Sequence, residues 1–540
     1  MRGAFRSGPR AGVTYPGPSL HRRQILQALA IAPFASLVGG RLAFGNGVPF
    51  SREAVIEEAR RRAARPFEPL PRPHADIVSR LDYEAVWQIQ NRFGERLWSG
   101  ENRGFSVEPL FRNQINPDEV LVHEVHDGMA DRLPLQPVPL DFEADVKTTP
   151  LAPDLVARLA TITAPELGFG GFRLYTPYNR DRDVAAFQGA SYFRAVGGSM
   201  QYGISARGIA IDTTKFGSEE FPQFRELWLE RPGKDDTHLV LHALLDGRSV
   251  TGAYRFRIEP GSSTVMDVEA TLFFRRAVDG LGLAPLTSMY HHGENFRGHA
   301  YDFRAEVHDS DGLAMLSGNG EWIWRPLTNP ASARVSSFID SNPRGFGLLQ
   351  RDRDFDHYQD DFAFYEGRPN LWIETLGDWG PGVVELVELP AADETFDNIV
   401  AYWRPAAPPQ VGEPYHLSYR LHWGAEMPGR LPGPARVVAT RIGRGGIPGR
   451  PGGEQDHKFV VDFAGGNLEM IERNAPVEVV VATEQGTIHE TSALPVHGSA
   501  TWRAKFDLRI TGDGPVNLRC YLRLGDSALS ETWLYTWSKT

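Results

Sequence analysis

Apolar and polar residues alternate along most of this chain, and the 3.6-residue periodicity of a helix is confined to its early part. Residues 238–245 (HLVLHALL), 253–259 (AYRFRIE) and 265–274 (VMDVEATLFF) mix alternating stretches with continuous apolar runs, and Gly, Asp and Ser bound them. Such segments read as half-buried and fully buried strands. Recurring at roughly ten-residue spacing, they predict sandwiches rather than a parallel α/β sheet. Residues 51–64 (SREAVIEEARRRAA) are the exception and read as a helix, with Ser51 as N-cap and Pro66 beyond its end. The glycines at 168–171 and 443–446 do not follow a strand and open a helix as a dinucleotide fingerprint must, so they predict turns or loops. No helical or blade-like repeat is present.

The same pattern divides the chain. Arg22 and Arg23 precede an apolar run from Ile25 to Val38 and small residues near Ala43, so residues 1–45 read as a twin-arginine signal peptide. The run is shorter than the roughly 20 residues of a membrane-spanning helix. Cleavage would release the mature protein into the periplasm. Residues 1–20 read as lying upstream of the true start codon. The proline-rich stretch 404–412 (RPAAPPQVG) predicts a linker between a large β domain, 46–403, and a smaller one, 413–540. In the latter, strands are expected at 415–423, 459–463, 477–483, 502–510, 517–524 and 531–537, the density of an immunoglobulin-like sandwich.

Composition narrows the function. At 540 residues the chain exceeds what one core usually serves. A formal net charge of −11 argues against a nucleic-acid partner, whereas a neutral polymer such as a glucan meets no such repulsion. Cys520 is the only cysteine, so no intramolecular disulfide forms. The adjacent His291 and His292 lack metal-ligand spacing, and neither a metal nor a cofactor is expected.

Candidate chemistry concentrates in two stretches, 308–326 (HDSDGLAMLSGNGEWIWRP) and 393–398 (DETFDN). Carboxylates on separate segments together with aromatic faces suit glycosidic-bond chemistry. On their own, these residues read first as a solvated turn beside a core strand.

Longer motifs carry a resemblance. FQGASYFRAVG (187–197), QYGISARGIAIDT (201–213), HDSDG, NGEWIWRPL, NPRGFGLLQRDRDFDHYQD (342–360) and DETFDNIVAYW resemble the periplasmic glucan biosynthesis G/D proteins (OpgG/OpgD, also MdoG/MdoD). The similarity runs from about residue 50 to the closing SETWLYTW, and the twin-arginine signal favours the D branch. The resemblance implies a large galactose-mutarotase-like β-sandwich followed by an immunoglobulin-like one, acting on linear β-1,2-glucan, in a family with members classed as inverting glycoside hydrolases. By matched motifs it places the general acid on Asp397 and the general base on Asp309. A protonated acid needs a desolvated site or a neighbouring negative charge, for which Asp393 and Glu394 are candidates. Inversion needs room for a water between the carboxylates.

For the long cleft a polymer requires, Trp322, Trp324, Tyr358, Tyr365, Trp372 and Trp379 are candidate sugar platforms, about half of them expected in the core. Arg351, Arg353 and Asp354 are candidate hydroxyl ligands or members of a salt-bridge network, and Glu394 is a further candidate. Glu321 reads first as a strand-edge charge, and the loop 443–453 as a mobile closure or an idle surface loop. The readings left open are an endo-β-1,2-glucanase, a transglycosylase that cyclises or branches the glucan with the same site, and a non-catalytic glucan-binding scaffold; a mutarotase or lyase, suggested by fold alone, comes last. A membrane glucan glucosyltransferase and a second copy of the chain are the macromolecular partners to consider.

Overall fold

The computed structural model describes residues 47–82, 85, 86, 89, 96–133, 151–177, 182–215, 217–298, 301–427, 433–451, 453 and 455–539. The signal-peptide expectation lies outside them. Among the described residues no helix is long and apolar enough to cross a membrane.

The early helix forms as expected, over Arg52–Ala63, with Ser51 Oγ accepting from the Ala54 N–H at 3.1 Å. Such a cap is worth about 1 kcal/mol. Its Val55 and Ala59 pack on Leu244, Ala253 and Phe273, covering the outer face of the large sheet.

The all-β expectation stands. Two sheets face each other around one core. The first crosses Leu121–His126, Gln223–Glu230, Leu239–Asp246, Val250–Glu259 and Ser263–Phe274, then Pro414–Gly424, Asn370–Leu376, Gly345–Leu349, Gly312–Leu316 and Trp322–Pro326. The second runs from Arg334–Ser341 through Pro381–Glu388, Ile399–Pro405 and Leu281–Ser288 to Ser205–Arg207, Tyr192–Ala195, Ala185–Gln188, Phe169–Tyr175 and Ser106–Phe111. Between them Phe172, Phe187 and Phe193 stack at 5.3 Å, and Phe256 meets the last two edge-on.

Two sequence expectations are corrected here. The stretch 404–412 does not separate domains: Pro414–Gly424 pairs with Ser263–Phe274 on one side and Asn370–Leu376 on the other, in the middle of the large sheet. The prolines mark a crossing between the two sheets of one sandwich, and the chain enters the smaller unit only after Gly424. The glycines at 170 and 171 lie inside the strand Phe169–Tyr175 rather than in a turn. A Cβ on Gly171 would stand 2.0 Å from the Phe187 carbonyl oxygen, so close strand approach, not flexibility, requires glycine there.

The smaller unit is a second sandwich. Arg436–Arg444, Asp456–Ala464, Trp502–Arg509 and Thr487–Pro495 form one sheet. Facing it, Thr532–Trp537, Val516–Leu524 and Glu478–Thr483 prolong the large sheet, joined to it by parallel pairing of Ile323 with Thr532 and Trp324 with Trp533. Trp324 and Trp372 from the large domain share a core with Phe459, Phe506 and Trp533. The two units are therefore fused through one continuous sheet. Cys520 is buried in this core as a free thiol, pushed by burial up to about 12, which leaves it inert.

Candidate functional site

One short piece of backbone is bonded to both segments that carry the carboxylates named from the sequence. The strand Leu281–Ser288 pairs with Ile399–Pro405 up to Ser288 and Ile399. Just beyond, the Met289 carbonyl accepts the Asp309 N–H at 2.8 Å, and the Tyr290 N–H donates to Asn398 Oδ1 at 2.9 Å. Asn398 is fully buried and returns its Nδ2 to the Tyr290 and Leu389 carbonyls. Asp309 and the residue after Asp397 are thus both bonded to Met289–Tyr290. Ser288 and Ser310 bind one another through their hydroxyls at 2.7 Å, fastening the Asp309 side further.

Asp309 is buried and ion-paired with Arg368 Nη1. Arg368 donates its Nε and Nη2 to the Ala363 carbonyl and lies 4.3 Å above the Tyr365 ring. Beneath them sits a charged cluster. His308 is fully buried between Gln350 and Glu306, both at 2.8 Å, and stacks on Tyr290 at 5.3 Å. Burial alone would depress its imidazolium, but Asp311 and Glu306 outweigh burial and raise it to about 9. Glu306, His308 and Asp311 lie near enough to share an ion, yet the imidazole already spends both nitrogens on Gln350 and Glu306. Glu294 is pushed by burial up to about 8 while it accepts the Thr440 N–H and pairs with Arg441 at 3.2 Å in the smaller unit.

These shifts set a pH dependence. His308 stabilises the fold fully below its ordinary 6.5, and that contribution is lost as pH rises through about 9. Glu294, ordinarily near 4.5, stays protonated in the fold, so rising pH costs stability until about 8. Both act in one direction between 6.5 and 8. Thermal unfolding followed by calorimetry is expected to show a falling Tm from pH 6.5 to 9, with His308 contributing at most about 3 kcal/mol. Glu294→Gln should flatten the slope below pH 8; a Tm constant across the range would exclude this assignment.

Asp397 is half-buried and lies within electrostatic reach of Arg194. Arg194 is buried, sits 4.0 Å above the Tyr202 ring, and has no hydrogen-bond partner for its Nε or Nη2 among the described residues. Tyr202 in turn donates to Asp183 at 2.6 Å. The negative neighbours expected for Asp397 are already engaged. Glu394 pairs with Arg304 at 2.8 Å, and Asp393 accepts from the Thr395 N–H and hydroxyl.

Arg304 also holds Asp302 and Asp360, so it ties together the loops around 302, 360 and 394. Those loops carry Tyr301, Phe303, Phe362, Phe364 and Phe396, all exposed aromatics, the last beside Asp397. The sequence reading did not single these rings out. The signal was there: YDF, DFAFY and TFDN place rings among Asp residues in segments that no strand pattern needs to bury.

The aromatics named from the sequence mostly go elsewhere. Trp324 and Trp372 are buried at the junction with the smaller unit, where half-buried Trp322 packs on Trp372 at 5.6 Å. Trp379 is buried against Trp403 and Tyr419, its N–H bound to the Ser418 carbonyl at 3.2 Å. Tyr358 and Tyr365 are fully buried beneath Asp309 and His308. A tryptophan that satisfies its N–H inside a core is no sugar platform.

The charged candidates also serve the fold. Arg351 lies 3.6 Å over Trp324 and reaches Glu531 at 2.5 Å and the Val437 carbonyl at 2.9 Å, clamping the two units together. Arg353 donates to the Glu366 and Arg368 carbonyls and so braces the loop that presents Arg368. Asp354 caps the turn Phe355–Tyr358. Glu321 accepts from Arg519 at 2.9 Å and the Thr532 hydroxyl at 2.6 Å.

A protein-family model described as "Periplasmic glucan biosynthesis protein, MdoG" matches residues 50–537. The chain is 46% identical to "Glucans biosynthesis protein D 1" of Ralstonia nicotianae, over 96% of this chain and 99% of that protein. It is 44% identical to "Glucans biosynthesis protein D" of Xanthomonas campestris pv. campestris, over 95% of each.

Proposed function

The chain belongs to the MdoG family of periplasmic glucan biosynthesis proteins, and on that premise we propose that it is a periplasmic enzyme that cleaves linear β-1,2-glucan with inversion. Asp397 is the general acid and Asp309 the general base. Asp397 gives its proton to the glycosidic oxygen as the C1–O bond breaks; water attacks C1 from the opposite face, and its proton passes to Asp309. Because Asp309 is buried against Arg368, that proton travels through intervening hydroxyls or waters rather than by direct contact.

The observation that supports this reading is that the segments carrying Asp309 and Asp397 are both tied to Met289–Tyr290, the first by its own N–H and the second through Asn398, near loops that bear exposed aromatic rings. Rings of that kind offer stacking faces to pyranose units, and a non-catalytic binder would need them but not the paired carboxylates. Arg194, with donors to spare beside Asp397, suits a sugar hydroxyl. The leading twin-arginine segment supports export.

The test is incubation of the mature protein with linear β-1,2-glucan and mass analysis of the products. Shorter linear chains, each heavier by one water than the matching anhydro unit count, are expected. Products lighter by one water would mean intramolecular transfer to a cyclic glucan by the same carboxylates. An unchanged polymer that still binds would replace the enzyme with a scaffold.

A further inference from the structure

A cavity of about 570 Å³ opens at the far end of the large sandwich, between the strap around residues 67–72 and the turns near 220 and 247. Its position follows from the register. Leu281 pairs with Ile211, which bridges to Glu220 on the cavity wall, whereas the carboxylates flank Met289, at the other end of the same strand. Seven or eight extended residues separate the two places by roughly 25 Å.

The walls are built, not incidental. Arg225 and Glu220 are both 4% exposed. Arg225 Nε lies 3.8 Å from Asp246 Oδ2 and Glu220 Oε2 lies 3.6 Å from Arg276 Nη2, ion pairs too long for hydrogen bonds, and neither atom has a hydrogen-bond partner among the described residues. Glu220 is oriented by the Ser249 N–H at 2.9 Å on its other oxygen. Across from them Arg72 and Asp118 form a bidentate pair at 2.8 and 3.0 Å. The rings of Phe67 and Phe221 line the same space, each with an arginine over one face, Arg225 at 5.3 Å and Arg207 at 5.7 Å. Charge chooses among ligands: three arginines face four carboxylates, which disfavours a phosphate. Fixed donors and acceptors beside aromatic rings suit a neutral polyhydroxylated ligand, and the volume is that of a small-ligand site with room for roughly two hexose rings.

We infer that this cavity is a second, non-catalytic saccharide site that grips a distant stretch of the same glucan chain. The inference rests on the glucan reading above. Its consequence is avidity: a polymer long enough to span both places is held by two contacts, a short oligosaccharide by one.

The experiment measures saccharide binding to Asp397→Asn protein by calorimetry, and kinetics on otherwise unaltered protein. The probes are a β-1,2-linked trisaccharide and a long linear β-1,2-glucan. Leu70→Trp fills the cavity from the surface strap, and Phe221→Ala removes a ring as an independent second variant. Two trisaccharide sites per chain are expected, one of them lost in each variant. The variants should leave kcat on the trisaccharide unchanged and raise KM for the polymer about tenfold. One trisaccharide site, unaffected by either variant, would overturn the cavity assignment and leave the glucan reading standing. No binding of either saccharide would overturn both. Tm measurement on each variant separates lost binding from lost folding.

Discussion

Asp397→Asn is expected to lower turnover of β-1,2-glucan at least a hundredfold while changing glucan affinity by no more than about twofold. The amide keeps the shape and the hydrogen-bonding reach of the acid but has no proton to give. The neighbouring backbone is held by the Asn398 side chain, which bonds to Tyr290 and Leu389 and is untouched by the change. Tm should therefore stay near that of the parent. Arg194 lies within electrostatic reach of the half-buried Asp397. Equal activity in variant and parent, measured as reducing ends released, would remove Asp397 from the mechanism.

Asp309→Asn is expected to do two kinds of harm, and they can be separated. On the proposed mechanism the base is lost, and the buried guanidinium of Arg368 loses the Asp309 counter-charge. An uncompensated buried charge typically costs 3–5 kcal/mol. A large drop in Tm should accompany the loss of turnover. In the double variant Asp309→Asn with Arg368→Met, the uncompensated charge is gone, so most of the lost Tm should return while turnover stays absent. Return of activity together with stability would show that Asp309 serves only to hold Arg368. A single variant as stable as the parent would show that the ion pair contributes nothing to the fold.

The helix at Arg52–Ala63 and the long strands were legible because period and caps are local properties. The two carboxylates were proposed only through motif resemblance, since nothing local in HDSD or TFDN says that both segments will bond to Met289–Tyr290. The boundary at 404–412 misled because proline stiffens a crossing between sheets as readily as a linker between domains. Pairing of Pro414–Gly424 with partners on both sides is a long-range fact. The tryptophans misled for a related reason: a ring that stacks on sugar and a ring that fills a sandwich obey the same apolar preference. Burial of Trp324, Trp372 and Trp379 separates them from Phe303, Phe362 and Phe396, which strand periodicity ignores because they lie in loops. Arg368 and Arg194 carried no pattern at all, and only the fold sets them beside the carboxylates.

Fusion of the two units matters for the site as well. The cluster beneath Asp309 reaches the smaller unit through Glu294, Thr440 and Arg441, while Arg351 and Glu531 clamp the same junction. The smaller sandwich therefore buttresses the floor of the carboxylate site.

The most direct measurement of the central claim is proton NMR of the anomeric signals during the first minutes of β-1,2-glucan digestion. Inversion by Asp397 and Asp309 predicts that the new reducing ends appear first as the α-anomer and only later equilibrate by mutarotation. Early appearance of the β-anomer would mean a covalent intermediate and a carboxylate pair in a different role, and would contradict the account.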